Sequence, residues 1–460
     1  MANCLGENAV VIGGSLAGLM TARVLADHFA SVTVLERDHI ESGPALHKSI
    51  SHGNHLHGLL LGGQQVLASL YPNFLAKLDS LGSVRCRWVK EIVFYGPFGR
   101  AYTPTGEVRE ARDFGIDFYQ QSRGLLEYCV RECTLECANV KFRDNCAAQG
   151  LVFRNNHVEG VRFSDDGASN IVTADLVVDT GGRGSHAPRW LAELGFNASP
   201  ETAIGVDLAY ASTKYCVPKD YDRRERVVAF DVLLPPDVPN CALMEIIEGD
   251  LLHVTLAGRF GDYPPRDEAG FLAFAKSLHT PKLYDVINRA ERVSEITSFR
   301  YPTAVLRHYE RLPSFPDGLL VLGDAIASFN PVYGQGMSVA ALQVQALQQL
   351  LAERKAQDRG LAGLALSFFP IAAGIAENAW ILAANQDLAY PQTQGERPPD
   401  LKQRLGYFAA VVSLSAEDPE LHRLMSEVFS LCKPLSTLNE EPLRSRALAE
   451  QRRHPEKYGL

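Results

Sequence analysis

The N-terminal stretch AVVIGGSLAGLMTARVLADHFASVTVLERD most constrains how this chain can fold. The apolar run Val10 to Ile12 reads as a buried strand, and the glycines after it read as a tight turn. Leu16 to Asp27 carries a helical pattern, and Ser31 to Leu35 reads as a second strand that ends on acidic Glu36. Strand, glycine turn, helix and strand in this order make a βαβ unit. Gly13 makes the turn beside Gly14, and Gly18 lets helix and sheet pack closely. Glu36 lies 23 residues beyond Gly13, where an acid followed here by Arg37 can bind a ribose 2′-OH. The pattern is that of a dinucleotide site. It departs from the usual fingerprint at Ser15, which stands where a second glycine lets backbone approach a pyrophosphate. A serine fits there if its φ is negative, and its hydroxyl can contact phosphate.

A second segment, GLLVLGDAIASFNPVYGQGMSVAALQVQALQQLL, lies about 300 residues further on. Leu319 to Leu322 is an all-apolar run between Gly318 and Gly323, as expected of a strand buried on both faces. Asp324 follows at the strand's end and can accept hydrogen bonds from sugar or sugar-alcohol hydroxyls. The run from Asn330 through Pro331 and Gly334 to Gly336 continues neither helix nor strand, because proline fixes φ and glycines allow positive φ. A helix begins near Gly336 and Met337 and aims its positive end at the loop. By itself this is also what an ordinary strand, loop and helix would look like. With the N-terminal unit it favours FAD over NAD, because ribitol and isoalloxazine extend well beyond an adenosine site.

These residues resemble the FAD-dependent monooxygenase superfamily with the para-hydroxybenzoate hydroxylase fold. Within it they look most like bacterial epoxidase-like flavoproteins acting on polyketide or isoprenoid precursors. The likeness also takes in GNHLHGLLLGGQQVL (Gly53 to Leu67), SRGLLEYCVRE (Ser122 to Glu132), ADLVVDTGGRGSHAPRWL (Ala174 to Leu191) and YPTAVLRHYERLPSFPDG (Tyr301 to Gly318). The resemblance implies an α/β fold: a Rossmann-like FAD-binding domain, an antiparallel-sheet substrate domain and a helical C-terminal region. The expected divisions are residues 1–190 with 300–355, residues 191–299, and residues 356–460. It further implies that Gly13, Gly14, Ser15, Gly18, Glu36, Arg37 and Arg123 hold the adenosine and phosphates. Asp324 would hold the ribitol, and Pro331, Gly334, Gly336 and Met337 would lie along the isoalloxazine.

The implied reaction inserts one oxygen atom from O2 into a lipophilic small molecule, by epoxidation or hydroxylation, through a C4a-hydroperoxyflavin. An alkene needs no catalytic base, and no residue stands out as one. NAD(P)H is the expected electron donor, directly or through a flavin reductase. The usual Asp-Gly pair of aromatic hydroxylases, which serves FAD and the nicotinamide cofactor there, is replaced here by Gly181-Gly182, with Asp179 two residues early. The main competing reading is an isoprenoid reductase of the geranylgeranyl reductase type, whose flavin loop looks alike. A halogenase of this fold carries a W-x-W motif, whereas Trp88, Trp190 and Trp380 are far apart.

Composition sets outer limits. A net charge of −9 argues against nucleic acid as a partner. Ala9 to Ile12 belongs to the first strand and not to a signal peptide. No uninterrupted apolar run reaches the ~18 residues of a transmembrane span. Leu361 to Ala376 is broken by Pro370, stops at Glu377 and reads as a buried helical hairpin, with an interfacial helix as the alternative. Nine cysteines in irregular spacing indicate a reducing, cytoplasmic compartment. Cys129, Cys133 and Cys137 share one helix face and read as small buried hydrophobes. His52, His55 and His57 lack a carboxylate to complete a metal site, which leaves a flavin-side hydrogen bond for His55 or His57, or loop packing. A strand-rich insertion is expected near residues 85–120. GVDLAYASTKYCV, RVVAFDVLL, CALMEIIE and LLHVTLAGRF suggest an antiparallel sheet covered by a helix near Glu268 to Leu278. A turn-rich break, Pro391 to Asp400, divides the C-terminal helices.

Overall fold

Five parallel strands form the sheet on which the N-terminal glycine turn sits. Their spatial order is Leu319–Val321, Leu176–Asp179, Gly6–Ile12, Phe29–Leu35 and Val140–Arg143. This is a computed structural model that describes residues 4–44, 52–95, 101–103, 106–107, 112–165, 167–232 and 235–458. Because the five strands run the same way, their carboxyl ends share one edge. The chain therefore brings Gly13, Glu36, Thr180 and Asp324 to that edge from four separate parts of the sequence. Ligands of open parallel sheets bind at this edge. The strands Leu176–Asp179 and Leu319–Val321 are buried at every position, which is why Leu176 to Val178 and Leu319 to Leu322 read as unbroken apolar runs.

The helix Leu16–Ala26 packs against the helices Arg123–Leu135 and Gly336–Ala356. Close packing starts at the turn: a Cβ on Gly18 would stand 1.8 Å from the carbonyl oxygen of Gly13. Cys129 and Cys133 are buried on the Arg123–Leu135 helix, whereas Cys137 lies just past its end. The nine cysteines are free thiols.

A second, nine-stranded sheet stands beside the first. Its order is Ala327–Ser328, Thr297–Arg307, Glu201–Cys216, Leu251–Arg259, Cys241–Ile247, Val227–Phe230, Ile92–Tyr95, Ala101–Thr103 and Gly106–Glu107. The pairing is antiparallel throughout except between Val227–Phe230 and Ile92–Tyr95, which is parallel. The expected sheet is thus present, extended by strands from the early insertion. Parts of that insertion, 96–100, 104–105 and 108–111, and Leu233–Leu234 lie outside the described residues. One face of the sheet carries Ala211, Tyr215, Val254, Leu256, Met244 and Phe230, buried against the helices Glu268–Ser277 and Lys282–Ile287. The opposite face, set by the period of two, carries Phe299, Tyr210, Ser212, Thr255, Leu243 and Phe94 in register.

The C-terminal part corrects one expectation. Leu364–Leu388 is a single helix of 25 residues that runs through Pro370 and past Glu377, not a hairpin. Proline removes one helical N–H, the one that would serve Leu366, but both residues lie on the exposed side, where water can satisfy the freed carbonyl. Phe369 holds the other side in place, with its ring 5.2 Å from Tyr309 and 4.9 Å from Phe315. This helix is long and apolar enough to cross a membrane by length and composition. Twelve of its residues, from Leu364 to Leu388, are nevertheless buried in protein. The break after it is observed, and the helices Leu401–Ser415, Pro419–Phe429 and Leu443–Arg453 pack on a small core of their own.

Gly18→Ala should destabilise the chain by ~3 kcal/mol or more, because the added methyl meets backbone that cannot yield without reopening the turn. Gly360→Ala, where an added Cβ meets nothing within 4 Å, should stay within about 0.5 kcal/mol of wild type in the same urea titration.

Candidate functional site

The glycine turn leaves no space for side chains. Gly13 has φ +100°, and a Cβ there would stand 2.9 Å from the carbonyl oxygen of Thr180. The first obstacle to a larger residue at Gly13 is therefore protein backbone and not a ligand. At Gly14 a Cβ would meet the Phe142 ring at 2.6 Å and the Glu36 Cβ at 2.8 Å. Glu36 is buried, and its carboxylate accepts from Gly14 N at 2.7 Å and Asp38 N at 2.9 Å, which fixes the acid against the turn. Arg37, the next residue, is exposed on the surface.

Ser15 has φ −87°, so the missing second glycine costs no backbone strain. Its hydroxyl donates to Glu127 Oε2 at 2.7 Å and accepts from Arg123 Nη2 at 2.7 Å. Arg123, only 7% exposed, opens its helix after Ser122, whose hydroxyl caps Leu125 N. Its Nη2 also donates to Glu127 at 2.9 Å, and its Nη1 points at Met337 Sδ at 2.8 Å. One guanidinium thus touches both the N-terminal turn and the start of the Gly336–Ala356 helix. Its Nε is buried without a hydrogen-bond partner.

Asp324 sits beside this guanidinium. Gly323, at φ +73°, turns the chain after the strand, and its N–H donates to Gln343 Oε1 at 2.8 Å. The Asp324 carboxylate is half-buried and has no hydrogen bond to a described residue. Burial raises its pKa to about 6, against the pull of Arg123 and Arg183. A Cβ on Gly336 would come within 3.3 Å of this carboxylate, so glycine keeps the helix start close to it.

The loop Asn330 to Gly336 is held by a buried polar cluster that no sequence motif indicated. Asp387, at the end of the Leu364–Leu388 helix, accepts from Arg259 Nη1, Asn330 Nδ2 and Tyr333 Oη, each at 2.8 Å through Oδ1. Asn330 Oδ1 accepts from Val332 N at 3.1 Å, so the loop begins as a capped turn with Pro331 in its first position. Gly334, at φ +64°, brings the loop within reach of Gly58, whose carbonyl oxygen would lie 3.4 Å from an added Cβ. An acid inside the otherwise apolar WILAANQDLAY stretch was the available signal, since buried carboxylates require partners.

His52, His55 and His57 lie where that loop meets the sheet. His55 Nδ1 is 2.7 Å from Ser212 Oγ, and His57 Nδ1 is 2.7 Å from the His55 carbonyl oxygen. His52 packs edge-on against His57 and Phe299. Burial, then Arg123, pulls His52 down to about 4; burial, then His52, does the same to His55. Among the described residues no three His, Cys, Asp or Glu side chains converge as metal ligands. Asp179 is committed elsewhere, accepting from Gly181 N and Ser185 Oγ at 2.7 Å each. Arg183 lies over the Tyr301 ring and donates to the Thr303 carbonyl.

No family model matches the chain. Protein Rv3254 of Mycobacterium tuberculosis is 29% identical to it over 455 residues, covering 97% of this chain and 94% of that protein. Among solved structures, the flavin-dependent brominase Bmp2 superposes with a TM-score of 0.70 at 15% identity, over 99% of both chains. PqsL of Pseudomonas aeruginosa, a probable FAD-dependent monooxygenase, superposes with a TM-score of 0.58 at 16% identity, over 84% of this chain and 97% of that one. At such identities the likeness establishes the fold, which is one found in flavin-dependent enzymes.

Asp387→Ala should cost about 3–5 kcal/mol in urea unfolding, because it leaves Arg259 buried without its counter-ion. Arg259→Met combined with Asp387→Leu should recover most of that loss; a double variant as unstable as Asp387→Ala would mean that the ion pair is not the cause.

Proposed function

We propose that the chain is an FAD-dependent monooxygenase that transfers one oxygen atom from O2 to a lipophilic small molecule. The observation that carries this reading is the single guanidinium of Arg123, touching Ser15 on one side and Met337 on the other, beside the unpartnered carboxylate of Asp324. The two segments it joins are the two that an extended cofactor with a nucleotide at one end and a ring system at the other would need.

The residues fit FAD on their own chemistry. Glu36, pinned by Gly14 and Asp38, keeps lone pairs for ribose hydroxyls. The bare backbone of Gly13 to Ser15 and the start of the helix Leu16–Ala26 suit a pyrophosphate. Arg123, whose Nε lacks a partner, adds positive charge there, and Asp324 suits the hydroxyls of the ribitol. The turn from Pro331 to Met337 would lie along the isoalloxazine. Bound and reduced, FAD supplies the electrons that activate O2. The protein's part is to bind, orient and exclude water, and the inner sheet face with Phe94, Leu243 and Phe299 half-buried offers an apolar wall for a substrate. NAD(P)H, directly or through a reductase, is the proposed electron source. Asp179, occupied by its own loop, offers no handle for it. The free thiols agree with a reducing cytoplasmic setting.

A second reading, a flavin-dependent halogenase, is favoured by the superposition with Bmp2. The three tryptophans do not support it: Trp88 is buried in a small cluster with Cys86 and Phe118, while Trp190 and Trp380 belong to the main core. An isoprenoid reductase would work without O2. Incubation with FAD, NADPH and ¹⁸O2 should therefore give a product heavier by one labelled oxygen; equal turnover under strict anaerobiosis, or a brominated product from bromide, would overturn the monooxygenase reading.

Asp324→Asn should weaken FAD binding about tenfold or more, read from flavin fluorescence during titration of the flavin-depleted protein. It should also affect stability in a pH-dependent way. A carboxyl whose pKa is raised in the folded state favours folding when protonated and loses that advantage as pH rises through about 6. Flavin-depleted Asp324→Asn should thus melt higher than wild type at pH 8, with the difference gone by about pH 4.

A further inference from the structure

The histidine segment holds a hydrogen-bond donor that no group among the described residues accepts. The direction of its hydrogen bonds follows from one fixed end. Leu56 N–H donates to Thr255 Oγ1 at 3.0 Å, and a peptide N–H cannot reverse that role. The Thr255 hydroxyl must then place its own proton elsewhere, and its other partner is Ser212 Oγ at 2.7 Å. Ser212 in turn donates to His55 Nδ1 at 2.7 Å. The opposite direction would leave two buried groups unmet, the Thr255 proton and the His55 Nε2 lone pair, where this one leaves only the Nε2 proton, a difference of about 1–3 kcal/mol. With Nδ1 accepting, the neutral His55 ring carries its proton on Nε2. That atom is buried and has no partner, on a side chain only 4% exposed.

The same logic fixes the neighbouring rings. His57 Nδ1 faces the carbonyl of His55 and His253 Nε2 faces the carbonyl of Asn54 at 3.0 Å, so each of these nitrogens carries the proton. His55 is therefore the ring of the three whose free nitrogen is a donor. Its position indicates what it serves. The ring lies 5.7 Å from Tyr210 and 6.0 Å from Phe299, on the inner face of the nine-stranded sheet, and the Tyr210 hydroxyl is likewise buried without a partner. His52 and His57, and not His55, are the rings that feel the charge of Arg123.

We infer that His55 Nε2–H is the recognition group on that sheet face, and that it binds an acceptor oxygen of the substrate. The substrate class is then an apolar compound that carries a carbonyl group. This rests on the proposed function only in calling the bound molecule a substrate; the hydrogen-bond polarity stands without it. An acceptor atom of the flavin ring offers the same chemistry, so the test must separate the two sources.

The experiment uses FAD-loaded protein labelled with [¹⁵N]histidine, probed with 1-tetralone and with tetralin, which has the same carbon frame and no oxygen. Long-range ¹H–¹⁵N spectra should show His55 protonated at Nε2; protonation at Nδ1 overturns the inference. 1-Tetralone should shift the His55 Nε2 resonance and bind about tenfold tighter than tetralin, the size of one hydrogen bond otherwise unmade. His55→Phe should abolish that preference, and Ser212→Ala, which keeps the imidazole but frees its tautomer, should reduce it. No preference in wild type, including failure of both probes to bind, overturns the substrate assignment. So does an Nε2 resonance that moves on FAD loading and not on adding the ketone, which would give the donor to the flavin. Failure of the protein to retain FAD, read from its visible spectrum, would count against the proposed function and leave the tautomer result intact.

Discussion

The Arg123 guanidinium is the interaction on which the rest of the site depends. It is a charge with 7% of its surface exposed, and such a charge is stable only if surrounding groups replace its hydration. Glu127, one helical turn along, supplies the counter-charge at 2.9 Å, and Ser15 and Met337 complete part of the shell. Each partner lies on a different element, so the position of the guanidinium is set only when the glycine turn, the Arg123–Leu135 helix and the Gly336–Ala356 helix are docked together. Ser15, which looked like a defect in the glycine fingerprint, is in this light a ligand of the arginine. A glycine would leave one more donor of Arg123 unmet.

A second buried charge, Asp387, does for the loop what Arg123 does for the turn. Loops that approach a ligand need bare backbone, yet bare backbone does not hold a shape unaided. Asp387 fixes both ends of the tight turn, through Asn330 before it and Tyr333 within it, and Arg259 ties the acid to the sheet. The helix that carries Asp387 is apolar for most of its length. Placing an acid at its buried end orients it: this end has to face Arg259, which commits the helix to the protein interior there.

The sequence made some of this legible and left other parts hidden, for identifiable reasons. Short-range patterns were readable because their cause is local. Gly13, Gly18 and Glu36 sit at spacings that one βαβ unit dictates, and the strand Leu319–Val321 announces itself by being apolar on both faces. The alternating strands of the nine-stranded sheet were readable for the same reason. The partners of those features were not, because they depend on contacts between distant segments. Glu127 lies 112 residues from Ser15, and Asp387 lies 128 residues from Arg259, with no motif linking either pair. The strand Ile92–Tyr95 joins a sheet built mostly from residues after 200, and pairs there in parallel, which no local pattern could announce. Pro370 misled for the opposite reason: the local rule that proline ends a helix is real, but here tertiary packing through Phe369 outweighs it.

The buried polar atoms without partners point the same way. Four of them, Arg123 Nε, His55 Nε2, Tyr210 Oη and Gln335 Oε1, lie on segments linked at the loop from Asn330 to Gly336: Gln335 is in it, Arg123 touches Met337 just after it, Gly58 approaches Gly334, and Tyr210 stands beside His55. Each such atom costs about 1–3 kcal/mol, against a net stability of roughly 5–15 kcal/mol for a typical domain. A core under no other demand would replace them with apolar side chains of the same size. Here they persist because the groups around them are fixed on two sheets and several buried helices that tolerate the cost. Donors and acceptors held rigid and unmet between the edge of the parallel sheet and the face of the nine-stranded one are what a bound molecule would find already oriented, with little reorganisation left for the protein to make.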